Sequence, residues 1–351
     1  MIRLLMTLVR RLVVTKRNQF LKVALLTVLL VAFSTSGFMY FELAEKPDLG
    51  WGDALWWSIV TMTTVGYGDF FPTTIGGRYV IGFPTMMFGI SILGYLLSTL
   101  ATFLIEERSK ELKGMSETVL SDHILIIHYP SAARVDAVLT ELRHDPKTKD
   151  SAVVVIDAFL EELPERFSEL GVRFVRGDVS KESTLERASF REARFAIILS
   201  QDPNDPGSDN SNLAAALTLE HLHPSIFTVA ECIDPERIEL LYKAGCDAVV
   251  CLTALATNLV VHELLDPGLQ KVIGEATNVL SGQNIYFVDV TLSKEATYGD
   301  ARNVLEERRC APLGVEHKGG KVVLNPDADT PLGDGDRIVC IAPNRPQALR
   351  L

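Results

Sequence analysis

From Tyr79 to Ile105 the chain runs for 27 residues without a charged side chain. A helix rises about 1.5 Å per residue, so this run exceeds the ~30 Å hydrocarbon core of a bilayer and has to tilt, bend or project from it. A second apolar run, Leu21 to Phe41, carries one charge, Lys22, at its start. A lysine there can reach the membrane interface. Two such spans constrain whatever lies between them. Non-helical backbone at membrane depth survives only where it lines a cavity or is buried in protein. The connecting stretch contains Thr64-Val65-Gly66-Tyr67-Gly68-Asp69. Glycines on either side of Tyr67 let successive carbonyls face one axis, and Thr64 adds a hydroxyl. One such strand coordinates from one side only. Four copies around an axis stack rings of oxygens that replace the water shell of a dehydrated cation.

The flanks fit this arrangement. Residues 1–22 hold Arg3, Arg10, Arg11, Lys16, Arg17 and Lys22 and no acid. Residues 1–20 are expected to form a basic amphipathic helix on the inner membrane face, with the N-terminus cytoplasmic. No small-residue cleavage site clearly follows the first span, so no removable leader is expected. Glu42, Glu45 and Asp48 after the span suit the outside. Asp53 to Met62 reads as a short re-entrant helix with Asp53 as its N-cap. Its C-terminal end points partial negative charge at the pore cavity and favours a cation there. Trp56 and Trp57 fit an aromatic collar around the loop, or interfacial anchors alone. Asp69 and Phe70-Phe71-Pro72 close the outer mouth. The second span begins near Thr74, with Pro84, Gly89 and Gly94 as candidate bend points. Residues 106–122 form a charged linker in which Met115 is a candidate internal start.

Thr64 to Asp69 resembles the signature of potassium-channel selectivity filters. The resemblance implies K⁺ held by Thr64, Val65, Gly66, Tyr67 and Gly68, with Trp56, Trp57 and Asp69 supporting them, in a homotetramer. Some relatives keep a carboxylate behind the filter where this chain has Val60. Gly89 resembles the gating-hinge glycine of that channel class; the alternative is close helix packing through a residue without Cβ.

From His123 the pattern changes. Short apolar runs alternate with helical ones: strands at Ile124–His128, Ala152–Ile156, Val172–Arg176, Phe195–Leu199, Ser225–Ala230 and Ala248–Cys251, and helices between several of them. This alternation predicts a doubly wound parallel sheet with its ligand edge at the strand C-termini. A helical connector follows, then a small α+β lobe with a turn at Gly319-Gly320. The expected fold is an α-helical two-span pore domain plus a cytoplasmic α/β Rossmann-like domain. Its parts are a pore over 21–105, a linker over 106–122, an N-lobe over 123–252, a connector over 253–284 and a C-lobe over 285–351. The order of parts resembles prokaryotic K⁺ channels with an RCK (regulator of K⁺ conductance) domain. Gly177-Asp178 with Leu185 and Ala188 resembles the TrkA-N signature, and Leu332-Gly333-Asp334-Gly335-Asp336 the end of a TrkA-C lobe. That resemblance implies RCK domains pairing into a gating ring, with soluble RCK copies started at Met115 as a further option. It also implies a multi-pass protein of the cell membrane with both termini cytoplasmic.

The regulatory ligand stays open at this level. A dinucleotide site requires Gly-x-Gly-x-x-Gly after the first strand, so that backbone approaches the pyrophosphate. Here His128-Tyr129-Pro130-Ser131-Ala132-Ala133 stands instead, with side chains at all three glycine positions. Asp157 stands where a ribose-binding acid would, so His128, Asp157 and Asp178 are the candidate residues for a nucleotide such as NAD or ADP. A divalent cation, Ca²⁺ above all, is the rival, because hard cations take carboxylate oxygens. Asp202, Asp205, Glu231 and Asp234 are its candidate ligands. Glu231 matches one Ca²⁺-binding glutamate of Ca²⁺-gated relatives, while Ser200 and Ile233 fill two other positions of that pattern. A polar loop with aspartates as turn and cap residues is the plain alternative. An oxidoreductase fused to a membrane anchor is disfavoured by the missing glycines and by the lack of a proton-transfer constellation. An ungated leak pore with an assembly-only domain is a further alternative. Net charge is −11, with the acidic excess in the C-terminal part, which disfavours nucleic acid. The five cysteines lack metal spacing and read as reduced thiols, with Cys246 and Cys251 in the core.

Overall fold

The computed structural model describes residues 17–278 and 282–351. Most of the basic lead expected over 1–20 lies outside them. The chain divides into two units, Met1–Arg108 and Ser109–Leu351.

The first unit contains α1 (Arg17–Glu42), α2 (Trp51–Met62), a π-helical segment Gly77–Gly82 and most of α3 (Phe83–Leu112). Leu21–Glu42 and Gly77–Leu112, 22 and 36 residues, are long and apolar enough to cross a membrane. The π segment has a local cause. Pro84 has no N–H, so the i→i−4 ladder cannot pass through it. The preceding turn is wound wider instead, and the Phe83 N–H bonds the Arg78 carbonyl. The helix leaving the loop begins at Ile75, close to the expected Thr74, and its π-helical segment starts at Gly77. Phe38, Met39, Leu49, Ala54, Trp57 and Ile81 form the buried core of this unit. The pore helix starts earlier than expected. Gly50 is its N-cap, and Asp53 sits three residues in, where its Oδ2 accepts the Gly50 N–H at 3.0 Å. Asp53 is thus not the cap, but it still puts negative charge at the helix N-terminus, where the dipole favours it.

The second unit opens on a six-stranded parallel sheet of order β3-β2-β1-β4-β5-β6. Its strands are β1 (His123–Ile127), β2 (Val153–Asp157), β3 (Arg173–Arg176), β4 (Ala193–Ile198), β5 (Phe227–Cys232) and β6 (Ala248–Cys251). Every residue of β1 and β2 is buried, as a sheet covered on both faces requires. Helices α4 (Ala132–His144), α5 (Glu165–Glu169), α6 (Glu182–Arg187), α7 (Ser208–Leu222) and α8 (Ile238–Lys243) complete this lobe. Strand order reverses between β1 and β4, and crevices for ligands open at such a switch point beyond the strand C-termini. The connector is two helices, α9 (Leu252–Leu265) and α10 (Leu269–Thr277), broken at Asp266-Pro267-Gly268, with Gly268 at φ +109°. The C-lobe sheet has order β11-β7-β10-β8-β9 and packs on α11 (Tyr298–Glu307). Its strands are β7 (Asn284–Thr291), β8 (Ala311–Glu316), β9 (Val322–Leu324), β10 (Arg337–Ala342) and the two-residue β11 (Leu349–Arg350).

The linker is not a loose tether. Helix α3 runs on to Leu112, and the Leu112 carbonyl accepts the Leu163 N–H at 2.8 Å. Gly114, at φ +64°, offers its carbonyl to the Arg176 N–H at 3.0 Å and to Arg187 Nη1 at 2.9 Å. Thr118 and Asp122 continue the attachment, donating their N–H groups to the Arg187 and Glu192 carbonyls, each at 2.8 Å. Residues 109–122 are therefore strapped along β3 at the edge of the sheet. A Cβ on Gly114 would run into the backbone nitrogen of Arg176.

Candidate functional site

The pore loop takes an alternating backbone. Thr64, Gly66 and Gly68 have φ of +61°, +57° and +79°, and Val65 and Tyr67 between them stay on the ordinary side. Alternate handedness is what turns consecutive carbonyls to one side, since an all-β strand would alternate them. The loop is anchored at its start. Val65 and Gly66 donate their N–H groups to the Val60 carbonyl at 3.0 and 3.3 Å. Val60 thus supports the filter through its backbone although its side chain has no carboxylate.

The two tryptophans divide. Trp56 Nε1 donates to Asp69 Oδ2 at 2.8 Å, and its ring stacks on Tyr67 with centroids 5.9 Å apart. Its side chain ties the helix to the loop at these two residues. Trp57 does not reach the filter: it is buried and stacks on Phe38 of α1, with centroids 4.2 Å apart. Adjacent helix residues point about 100° apart, so one faces the loop and the other the core. Gly89 is buried, and a Cβ there would come within 2.8 Å of Met62 Cα and 3.2 Å of its carbonyl oxygen. Close approach of α3 to the end of the pore helix requires the glycine. Gly94 faces open space.

Sequence reasoning missed Glu42, which it placed only on the outer side. Glu42 has no exposed surface. Its Oε2 accepts the Thr73 N–H and hydroxyl at 2.8 and 2.6 Å, and its Oε1 accepts those of Thr74 at 3.0 and 2.7 Å. Four donors on one carboxylate fasten the end of α1 to the chain leaving the filter. Lys46 adds a bond to the Phe71 carbonyl at 2.8 Å, and Arg78 Nε one to that of Pro72 at 3.0 Å. The available signal was a carboxylate at the end of a membrane span, which has to find partners.

The second candidate site is the crevice at the β1/β4 switch point. The expected nucleotide residues converge there, but their side chains are already engaged. Asp157 is 1% exposed and accepts N–H groups from Tyr129 at 3.0 Å, Phe159 at 2.7 Å and Leu160 at 2.6 Å. It holds the loops after β1 and β2 rather than offering a free carboxylate to a ribose. Asp178 accepts the N–H and hydroxyl of Ser180 at 2.9 and 2.8 Å, and these donors hold its carboxyl below the usual range. His128 is buried and at φ +71°. It keeps the left-handed backbone of a first glycine while adding a side chain. Burial pushes its imidazole below the ordinary value, against the pull of Asp157 and Asp178.

The expected cation ligands do not assemble. Asp202, Asp205 and Asp234 each accept a nearby N–H in their own turn, from Asn204 at 2.9 Å, Gly207 at 2.8 Å and Glu236 at 3.0 Å. Glu231 is buried and divides its oxygens between Arg134, in the first turn of α4, and the Ser200 N–H at 2.9 Å. A guanidinium therefore stands where a metal ion was expected. Among the described residues no group of three or more His, Cys, Asp or Glu is placed to hold a metal. Asp209, not singled out from sequence, is the carboxylate that joins the loops: it takes the Ile233 N–H at 3.0 Å and the Asp234 N–H at 2.9 Å.

Comparison with known proteins agrees with this division. A family model described as an ion channel matches residues 25–106, and one described as a TrkA-N domain matches 136–252. A third, "Castor and Pollux, part of voltage-gated ion channel", matches 253–349. The calcium-gated potassium channel TvoK of Thermoplasma volcanium is 28% identical over 83% of this chain and 82% of its own. Potassium channel protein 1 of Methanocaldococcus jannaschii is 26% identical over 82% and 85%. Among solved structures, the human SLO3 gating ring is similar with a TM-score of 0.50 at 13% identity, over 63% of this chain and 44% of that one. The GsuK channel bound to NAD gives a TM-score of 0.44 at 21% identity, over 93% of this chain and 57% of that one. This chain spans 44% and 57% of these two solved chains. The chain thus carries a stretch that matches an ion-channel family followed by one that matches a TrkA-N domain, and over most of its length it is similar to prokaryotic potassium channels.

Proposed function

We propose that four copies of this chain form a K⁺-selective pore whose opening is set by the RCK domains through the strap at residues 109–122. The observation that carries the reading is the alternating backbone of Thr64–Gly68, which aims a column of carbonyls at one axis. In a single chain Gly66 and Gly68 have no neighbour within 4 Å of a built Cβ. Three further strands fit that open side and complete the coordination. Both termini are cytoplasmic in this reading, and the protein sits in the cell membrane.

Apolar surface on the connector supports pairing of RCK domains into a ring. Leu255, Val260, Val261, Leu264 and Leu265 on α9 and Val272 on α10 are each more than half exposed. A contiguous apolar face of this kind marks an interface. Soluble copies started at Met115 would carry the same face. The domain acts by population shift, without catalysis: an effector that binds one ring geometry better moves the inner helices through α3. Bending at Gly89 would break its contact with Met62.

For the effector, a nucleotide is supported by the switch-point crevice, and Ca²⁺ by what the T. volcanium relative's name says of that protein. K⁺ flux from proteoliposomes, with Ca²⁺, NAD, ADP or ATP added on the RCK side, tests the reading. Flux that responds to one of them supports ligand gating and names the class. Flux that ignores all of them leaves the ungated alternative standing, and no K⁺ selectivity over Na⁺ would refute the filter assignment.

A further inference from the structure

The π segment before α3 and the close approach at Gly89 depend on one another. The segment ends at Phe83, whose N–H bonds the Arg78 carbonyl five residues back. Below it Thr85 and Gly89 face inward and are buried. The Thr85 hydroxyl is satisfied by the Ile81 carbonyl at 2.7 Å. A Cβ at Gly89 would lie 2.8 Å from Met62 Cα, at the end of the pore helix. The residues on either side of that glycine, Phe88 and Ile90, are 60% and 57% exposed.

A π turn takes in one residue more than an α turn, because its bonds run to the fifth residue back and not the fourth. One residue is about 100° of rotation in an α-helix. An unbroken α-helix from Ile75 would therefore present every inward position one residue earlier. Pro84 would stand where Thr85 stands, and Phe88 where Gly89 stands. A gap that excludes a methyl group excludes a phenylalanine, so α3 and the pore helix would have to part. Pro84 keeps the wider turn. It has no N–H to give the Val80 carbonyl, and its ring would press on that carbonyl if the turn closed to α. The upstream end cannot turn in compensation, because the Glu42 carboxylate holds Thr73 and Thr74. A change in the turn is delivered downstream, to α3.

We propose that Pro84 is a positioning residue of the pore: through the π turn it sets the rotational register of α3, so that Gly89 and not Phe88 meets the pore helix at Met62. Every residue of α3 beyond Pro84 inherits that rotation, and with it the choice of the face that lines the conduction path.

Two readouts on the full-length protein in liposomes test this, and only the second rests on the reading of α3 as a pore-lining helix. In the first, Met62→Cys is combined with Gly89→Cys or with Phe88→Cys, copper phenanthroline oxidises the pair, and linked peptides are identified by mass. The native cysteines are buried thiols of the cytoplasmic unit. With Pro84 in place the 62–89 pair should link, since a Cβ at 89 lies 3.3 Å from Met62 Cβ, close to disulfide range, and the 62–88 pair should not. Pro84→Ala should move the link by one residue, to 62–88. Deleting Phe83 as well removes the residue gained and should return the link to 62–89. In the second, Pro84→Ala should lower K⁺ flux by about fivefold or more, as overpacking at the pore helix implies, and the deletion should restore it. A 62–89 link that persists in Pro84→Ala, or any pattern that the deletion does not return, overturns the proposal. If Pro84→Ala fails to assemble on a native gel, assembly recovered by the deletion supports the register and failure of both variants overturns it. Links that move while flux does not leave the register standing and count against α3 as the pore-lining helix.

Discussion

The carboxylate of Glu42 is the most heavily bonded acceptor in the pore unit, and replacing it with glutamine isolates its contribution. Glu42→Gln keeps the shape and volume and exchanges one oxygen for an NH₂ group. If the oxygen facing Thr73 is kept, the NH₂ meets the Thr74 N–H, which donated to Oε1 at 3.0 Å. Two donors then face each other, and a buried backbone N–H loses its acceptor, at about 1–3 kcal/mol. The Thr74 hydroxyl cannot compensate freely, because it already accepts the Gly77 N–H at 2.9 Å. The two bonds kept at Thr73 drop from charged to neutral, about 1 kcal/mol each. The total is about 3–5 kcal/mol per subunit in local opening of the segment leaving the filter. At 1.4 kcal/mol per factor of ten, exchange at the Thr73 and Thr74 amides should accelerate by about a hundredfold or more. Hydrogen-exchange mass spectrometry over residues 70–78 reads this directly. The same preparation should lose K⁺ flux faster during sustained conduction, since the outer end of the filter is less firmly held. Exchange within about threefold of wild type would refute the reasoning, because the four bonds would then not hold the segment.

Gly66→Ala should abolish K⁺ flux while the tetramer survives on a native gel. Nothing crowds the position in one chain, so the effect is conformational: about 1–2 kcal/mol against φ +57° in each of four subunits. Gly89→Ala acts by contact, placing a methyl 2.8 Å from Met62 Cα. It should lower the thermal midpoint by the equivalent of about 1–3 kcal/mol, and an unchanged midpoint would show that α3 moves aside freely. Arg134→Gln leaves Glu231 buried without its cation; allowing for the solvent at the guanidinium, a loss of about 1–3 kcal/mol is expected in the denaturant unfolding of the RCK domain. Burial lowers the proton affinity of both His123 and His128. An unfolded imidazole takes up a proton near pH 6.5 that the folded one refuses, so their contribution is present above that pH and is lost as pH falls below it. The melting midpoint should therefore drop between about pH 6.5 and pH 5, with a shallower slope in His123→Asn; a midpoint constant over that window would contradict the burial of both rings.

The membrane unit was legible because the bilayer permits few solutions. Two apolar runs and Gly-Tyr-Gly between them leave little choice of topology, and the parallel sheet announced itself by apolar strands alternating with helices. What escaped was partner choice. Trp56 and Trp57 are neighbours of the same type, and only the packing of Phe38 shows which faces the core. Asp53 is a good cap by type, but Gly50 takes the place because its N–H can reach back to Asp53. Glu42 pairs with residues 31 and 32 positions away, a distance over which periodicity carries no information. The acidic loop at 202–209 looked like a cation site because composition counts carboxylates. It does not count the backbone amides that occupy them.

That last difference bears on how the RCK domain is regulated. A ready-made site would leave Asp157, Glu231 and their neighbours open to solvent. Here Asp157 is filled by three amides, and Glu231 by Arg134 and Ser200. The crevice is thus closed by bonds between the loops after β1, β2, β4 and β5. Any effector entering there has to displace some of them, and its apparent affinity falls by that cost. The same bonds are the means by which occupancy could reach the pore. Breaking Arg134–Glu231 frees the first turn of α4, and disturbing Asp157 releases the loop beside β3, to which Gly114 is tied. An effector that merely filled an empty pocket would move nothing; one that exchanges its own contacts for those of the protein has the differential affinity that a shift between two states requires.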